Sequence, residues 1–195
     1  MNLFYLLIGL IVIVGLWIVG VYNFFVSSRT RVGAAIQEIG NQLKRQVELI
    51  PNLEASVKGY LKHEKGIFDE LSNARKLIAA AAKSGNIGKM ADAGKALSEV
   101  LPKIQIVVES NPEIKGSEVV KNLMDDLRDT SDKVMYARRL FIDLTADFNV
   151  RRVTFPSSLI AQMFNFTELK GLDTKGFGEH TQVSDADLKT PKINL

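Results

Sequence analysis

No cysteine occurs among the 195 residues. That absence excludes a disulfide framework, thiolate metal sites and cysteine nucleophiles, while fitting a reduced and an oxidising compartment equally. Histidine is nearly as scarce, with two in the chain. A carboxylate-bridged metal pair in a helical bundle wants Glu-x-x-His on two helices, but Tyr60 and Phe177 stand three residues before His63 and His180. The run HEKGI at 63–67 also lacks the second histidine of HExxH, so His63 with Glu64 reads as a solvated or hydrogen-bonded surface pair. Basic blocks and aromatic-basic stripes are missing too. The net charge of +3 comes from interspersed Lys, Arg, Asp and Glu, and nucleic acid is not an expected partner.

Two stretches imitate sites without meeting their requirements. In GKMADAGK at 88–95, Gly88 and Gly94 enclose five residues where a phosphate loop has four, and Ala96 replaces the hydroxyl that would meet magnesium. A helix start is the better reading. Asp125, Asp126, Asp129 and Asp132 lie close enough to attract a divalent cation, but on a helix they form a solvated face paired with Arg128 and Lys133. No catalytic, cofactor-binding or metal-ligating residue emerges, and the chain reads as a non-enzyme without a cofactor.

What the chain does have is Leu3 to Tyr22, LFYLLIGLIVIVGLWIVGVY, without a charge or a strongly polar side chain. At about 1.5 Å of rise per residue it spans roughly 30 Å, the hydrocarbon thickness of a bilayer. A helix satisfies its own backbone there, where water cannot. Trp17 and Tyr22 near one end and Tyr5 near the other suit the two interfaces. A cleaved signal peptide fits poorly, because the apolar run is long, has no basic leader and ends in VGVYNFF instead of a small-x-small site. Arg29, Arg31, Lys44 and Arg45 follow the run and no Lys or Arg precedes it. The positive-inside rule then puts the N-terminus outside and the rest in the cytoplasm, as a single-pass protein of the inner membrane, with a signal anchor that faces the domain outside as the alternative.

Beyond the anchor, helical periodicity dominates. Val32, Ile36, Ile39, Leu43, Val47 and Ile50 recur at spacings of three and four, which predicts an amphipathic helix. Pro51 removes one backbone donor and disfavours helical geometry at Ile50, so either a kink or a full reversal is expected, with Asn52 able to cap a new start. Spacing resumes through Leu53, Val57, Leu71, Ala74 and Ile78 and ends at SGNIG, 84–88. A third helix carries Met90, Ala93, Leu97, Leu101, Ile104 and Val108, with Pro102 expected to bend it. After the loop at 110–117, Ser117 caps the longest helix of the domain, reaching about Val153. Its inward row is Val120, Leu123, Leu127, Val134, Phe141, Leu144 and Phe148. FPSS at 155–158 breaks it before a short apolar piece, Leu159 to Phe166, whose Leu159, Ile160, Met163 and Phe164 share a face. That face is expected to pack back on the bundle, since Ser157, Ser158, Gln162 and Asn165 offer lipid no positive charge. The organisation is therefore an anchor at 1–28, a helical bundle at 29–166 and a flexible tail at 167–195, all-α in its folded part.

Lys44, Arg45, Asn52, Lys58, Tyr60 and His63 gather in sequence around Pro51. They serve either as capping and loop support or as a partner surface at a rigid corner. The succession Tyr22-Asn23, LKRQVELIPNLEASVKGYLKHE at 43–64, Ala74-Arg75, Ala137-Arg138-Arg139, Phe148-Asn149 and FPSSLIAQMFNF from Phe155 resembles the LemA family over about residues 1–167. The resemblance implies a single-pass membrane protein with a short outer N-terminus, an antiparallel four-helix cytoplasmic domain, a largely undefined activity and a role in organising membranes. Phe141 and Phe148 stand where the family commonly has tyrosine. The expected function is a membrane-anchored interaction scaffold, with direct action on lipid as the alternative. Its partners are the bilayer, through the N-terminal helix, and unidentified proteins, a second copy of the chain included.

The phase assigned to the long helix can be checked directly. Leu127→Asp puts a carboxylate on the inward row and should abolish cooperative thermal unfolding, since an unpaired buried charge costs several kcal/mol. Asp129→Ala on the outer face should change stability by about 0.5 kcal/mol or less. Equal effects would mean the helix is misphased.

Overall fold

The computed structural model describes residues 2–60 and 65–172. Among them are six helices and no strand. They are α1 (Asn2–Val57), α2 (Lys65–Ser84), α3 (Ile87–Ser110), α4 (Pro112–Lys115), α5 (Glu118–Val153) and α6 (Ser157–Met163).

The apolar run and the first amphipathic segment are one helix. Buried positions of α1 fall at Val21, Phe25, Ser28, Val32, Ala35, Ile39, Leu43, Gln46, Ile50, Leu53 and Val57, at spacings of three and four that keep one face of the helix inward. Pro51 lies inside α1, so neither the reversal nor the new start capped by Asn52 occurs there. The Asn52 carbonyl instead accepts from the Ser56 hydroxyl at 2.8 Å. A proline inside a helix costs about 3 kcal/mol, whereas fully burying an aliphatic side chain contributes about 1.5–3 kcal/mol. Ile50, Leu53 and Val57 are all essentially inaccessible, and their burial outweighs the proline. The chain leaves the helix after Val57 instead, at the turn where Tyr60 N–H donates to the Val57 carbonyl.

The other boundaries follow local chemistry. Gly85, at φ 63°, takes the left-handed conformation that ends α2, and Asn86 caps α3 by accepting from Lys89 N–H at 3.0 Å. Pro102 sits within a continuous α3, and the segment IQIVV at 104–108, although rich in β-branched residues, is helical. The loop expected at 110–117 holds the single turn α4. Ser117 then caps α5, accepting from Val120 N–H at 3.4 Å.

Pairings across the helices fix the topology. Arg75 reaches Glu54 at 2.8 Å, Lys103 reaches Glu70, and Arg45 reaches Asp126 at 3.0 Å. Gly94 meets Val134. Glu54 meets Arg75 while the earlier Lys44 lies beside the later Lys83, Gly94 meets Val134 while the later Gln105 lies beside the earlier Arg128, and Arg45 meets Asp126 while the earlier Phe25 meets the later Phe148, so α1, α2, α3 and α5 form an antiparallel four-helix bundle. Their shared core runs from Ile39 to Val57 on α1 and includes Leu71, Ile78, Leu97, Ile104, Leu127 and Val134. Inside it, fully buried Gln46 donates to the Ser131 hydroxyl at 3.3 Å. A one-turn slip would leave that amide unpaired, so it opposes wrong register. On α5 the inward row is as expected at Val120, Leu127, Val134, Phe141 and Phe148, with Leu123 and Leu144 only half-buried at its flanks.

The helices are unequal in length, and this shapes the molecule. α5 has 36 residues, but α2 and α3 have 20 and 24. They therefore line only the distal part of the α1–α5 pair. The proximal part is a two-helix stalk with Val32, Ala35 and Phe141 at its centre.

Gly94 allows α3 to approach α5. A Cβ there would lie 2.9 Å from Val134 Cγ1, a branched side chain with little freedom. Gly94→Ala should gain up to about 1 kcal/mol of helix propensity but lose about 1–3 kcal/mol to overpacking. The expected net result is a lower Tm of the detergent-solubilised chain, partly restored by adding Val134→Ala. An increase in Tm from Gly94→Ala alone would show that the helices can part freely.

Candidate functional site

The residues gathered around Pro51 in sequence separate in space. Arg45 is engaged by Asp126 of α5, whereas Lys44 lines a groove with Val47, Glu48, Ala79, Ala82 and Lys83 on the α2 side. Asn52 and Lys58 are exposed. Tyr60 donates its hydroxyl to Glu113 at 3.2 Å. That bond and the charge of Glu113 raise the tyrosine's pKa above its ordinary value. The bond's contribution is thus present below the ordinary tyrosine pKa and fades as pH rises through the raised one. His63 lies outside the described residues.

Neither imitation of a site acquires reactive geometry. Gly88 and Gly94 belong to the first turns of α3, the latter spent on helix contact. Asp125, Asp129 and Asp126 pair with Arg128, Lys133 and Arg45 respectively. Among the described residues no group of three or more potential metal ligands converges. A groove of about 510 Å³ lies along the stalk between α1 and α5, lined by Arg31, Ala35 and Glu38 on one side and Tyr136, Leu140 and Leu144 on the other. It is shallow and mostly apolar.

The most elaborated region is the proximal end, where α6 folds across the stalk. Phe25 of α1 and Phe148 of α5 meet edge to face at 5.2 Å, and Phe166 stacks on Phe25 at 4.8 Å. Val21, Ile160 and Ala161 complete the cluster, and Ile18 packs against it. Asn165 makes this possible. It adopts φ 55° after α6, a conformation asparagine tolerates better than most residues. Phe166 N–H then donates to the Ala161 carbonyl at 2.8 Å, and Asn165 N–H to Gln162 at 3.1 Å. These two bonds form a Schellman cap, whose usual apolar contact is made here by Phe166 and Ala161.

Phe166 begins a strap. Leu169 and Leu172 continue into the second stalk cluster around Phe141. The Asn149 side chain clasps Leu169 from both sides, donating to its carbonyl at 2.8 Å and accepting from its N–H at 3.0 Å. Arg152 adds a contact to Glu168 at 3.3 Å. Residues 167–172 of the expected tail are therefore held against the bundle, while 173–195 lie outside the described residues.

The shared face expected on α6 divides. Ile160 packs inward, but Leu159, Met163 and Phe164 are exposed, as is Phe155 before them. The inward side is made by Ile160 with Ala161, and Phe166 joins it only through the turn at Asn165. A helical wheel cannot place a residue beyond the helix end.

A sequence description of the LemA family matches residues 35–184 of the chain. The match begins in the stalk, after the apolar run, and takes in the bundle, α6 and the strap. The chain is also similar to the magnetosome protein MamQ of Magnetospirillum gryphiswaldense, with 25% identity over 195 residues covering 88% of this chain and 70% of that protein.

The clasp makes a measurable prediction. Asn149→Ala removes both bonds to Leu169 and leaves two part-buried backbone groups without their partner, a loss of about 1–3 kcal/mol. Amide exchange at Leu169 should accelerate while exchange in the distal core at Leu97 and Leu127 stays slow. Unchanged exchange at Leu169 would show that the apolar contacts alone hold the strap.

Proposed function

The chain belongs to the LemA family, and we propose that it is a single-pass, membrane-anchored helical bundle acting as a non-catalytic interaction scaffold at the cytoplasmic membrane. The observation that carries this reading is the change of character along one helix. Every residue from Leu3 to Trp17 is exposed, on all sides of α1, although the segment is wholly apolar. From Val21 onward the same helix is amphipathic and packed. An all-round apolar helix without protein cover calls for lipid, and α1 is long and apolar enough to cross a bilayer. Arg29 and Arg31 just beyond it favour a cytoplasmic bundle. Among the described residues, surface ion pairs and shallow grooves without a convergent reactive set favour recognition over chemistry.

Direct action on lipid is a second reading, favoured by the exposed apolar side chains at α6.

Two measurements test the anchor and its orientation. The full chain should remain in the membrane pellet after carbonate extraction, and a reporter fused at the N-terminus should be active outside. Release by carbonate, or an N-terminal reporter found inside, overturns the topology. Proximity labelling from a cytoplasmic C-terminal fusion should return a recurring set of proteins. A labelling pattern identical to that of the anchor helix alone would argue against a scaffold.

A further inference from the structure

The proximal end carries an apolar surface that the bundle leaves uncovered. Phe155 is 76% exposed, Met163 63% and Leu159 57%, and Val150, Val153 and Phe164 extend the same region. From Val153 to Phe166 the chain has no charged residue. This run is the part of the chain packed against the end of the apolar segment of α1.

We propose that α6 and the adjoining end of α5 are buried in the headgroup and acyl boundary of the leaflet through which α1 leaves the bilayer, so that the protein meets the membrane through two elements instead of one. The inference rests on the anchor reading above. Continuity with the anchor selects lipid as the occupant. The Tyr22 ring lies 4.8 Å from that of Phe164, and Ile18 and Val21, both inside the Leu3–Tyr22 run, join the cluster that holds Ile160 and Ala161. Ile18 is four residues within that run, a depth of about 6 Å along the helix axis. Interfacial helices bury their apolar face to about 5–10 Å. If α1 spans the bilayer, α6 cannot stand clear of it.

The polar groups around the run match such a boundary. Arg151 and Arg152 lie just before it and Glu168 and Lys170 just after. The Arg151 guanidinium sits over the Phe24 ring at 3.9 Å, holding a cation at the level where lipid phosphates would lie. The positive charge that α6 lacks in its own sequence is supplied by the neighbouring end of α5. With two attachment points the bundle has a fixed tilt and rotation relative to the membrane, whereas one helix alone would leave rotation about its axis free.

The chain's one tryptophan, Trp17, makes the test self-controlled. The full chain is reconstituted into phosphatidylcholine vesicles with and without phosphatidylcholine brominated near the headgroup end of its acyl chains. Three proteins are compared: the unaltered chain, Trp17→Phe with Leu159→Trp, and Trp17→Phe with Tyr136→Trp, where Tyr136 is an exposed residue of the stalk. Met163→Trp replaces Leu159→Trp if the latter unfolds. Emission from position 159 should be quenched by brominated lipid at least half as strongly as that of Trp17 and be shielded from aqueous acrylamide. Position 136 should behave oppositely. Lipid quenching at 159 no greater than at 136, with Trp17 strongly quenched, overturns the inference and leaves the anchor intact, assigning the face to a protein or a second copy. Absence of lipid quenching at Trp17 itself overturns the anchor reading and this inference with it.

Discussion

The continuity of α1 as one helix, carried past Pro51, is the constraint on which the rest depends. One helix of 56 residues, about 84 Å long, serves as apolar span, stalk and bundle member, with no loop between them to absorb motion. Its buried stripe holds the same three-and-four spacing from Val21 to Val57. The direction in which the bundle presents each face is thereby coupled to the rotation of the apolar segment. A flexible linker after Tyr22 would have allowed the same bundle to tumble freely.

Unequal helix lengths create the second problem the molecule must solve. Where α2 and α3 stop, α1 and α5 alone cannot cover their facing apolar rows, because a two-helix contact leaves both flanks open to water. Phe25 and Phe148 would be the largest exposed liabilities. The structure closes one flank with α6 and the strap, and uses aromatic side chains because a few rings cover much area with little conformational entropy lost. Asn165 and Asn149 are the polar devices that make this possible, the first by tolerating a left-handed backbone and the second by satisfying both backbone groups of Leu169.

Much of the bundle was legible in the sequence. The 84–88 break, the Ser117 cap and the inward row of α5 each depend on residues within a turn or two of one another, and each is found where its local chemistry puts it. The candidate surface around Pro51 was harder to read. Lys44 and Arg45 are adjacent in sequence, but neighbours on a helix point about 100° apart, and here one faces the α2 side while the other is engaged by α5. Asn165 left a trace that could have been used, an asparagine between two phenylalanines just past an apolar run, which is a helix-stop signal. Phe25 also followed from extending the spacing backward from Val32, across a boundary that the uniformly apolar run obscured.

By itself, then, the sequence determined the helical class, the apolar segment, most helix ends and the inward phase of α5. These depend on periodicity and capping, which act between residues close in the chain. Only the tertiary structure decided whether Pro51 ends α1, which side of α6 is covered and that residues 167–172 are held. Each of those outcomes is a balance between a local preference and contacts made across the fold. At Pro51 the local preference is to break, and burial of Ile50 and Leu53 in a core completed by α2, α3 and α5 reverses it. At α6 the decisive partners are Phe25 and Phe148, more than a hundred residues apart in the chain and brought together by the antiparallel course of α1 and α5.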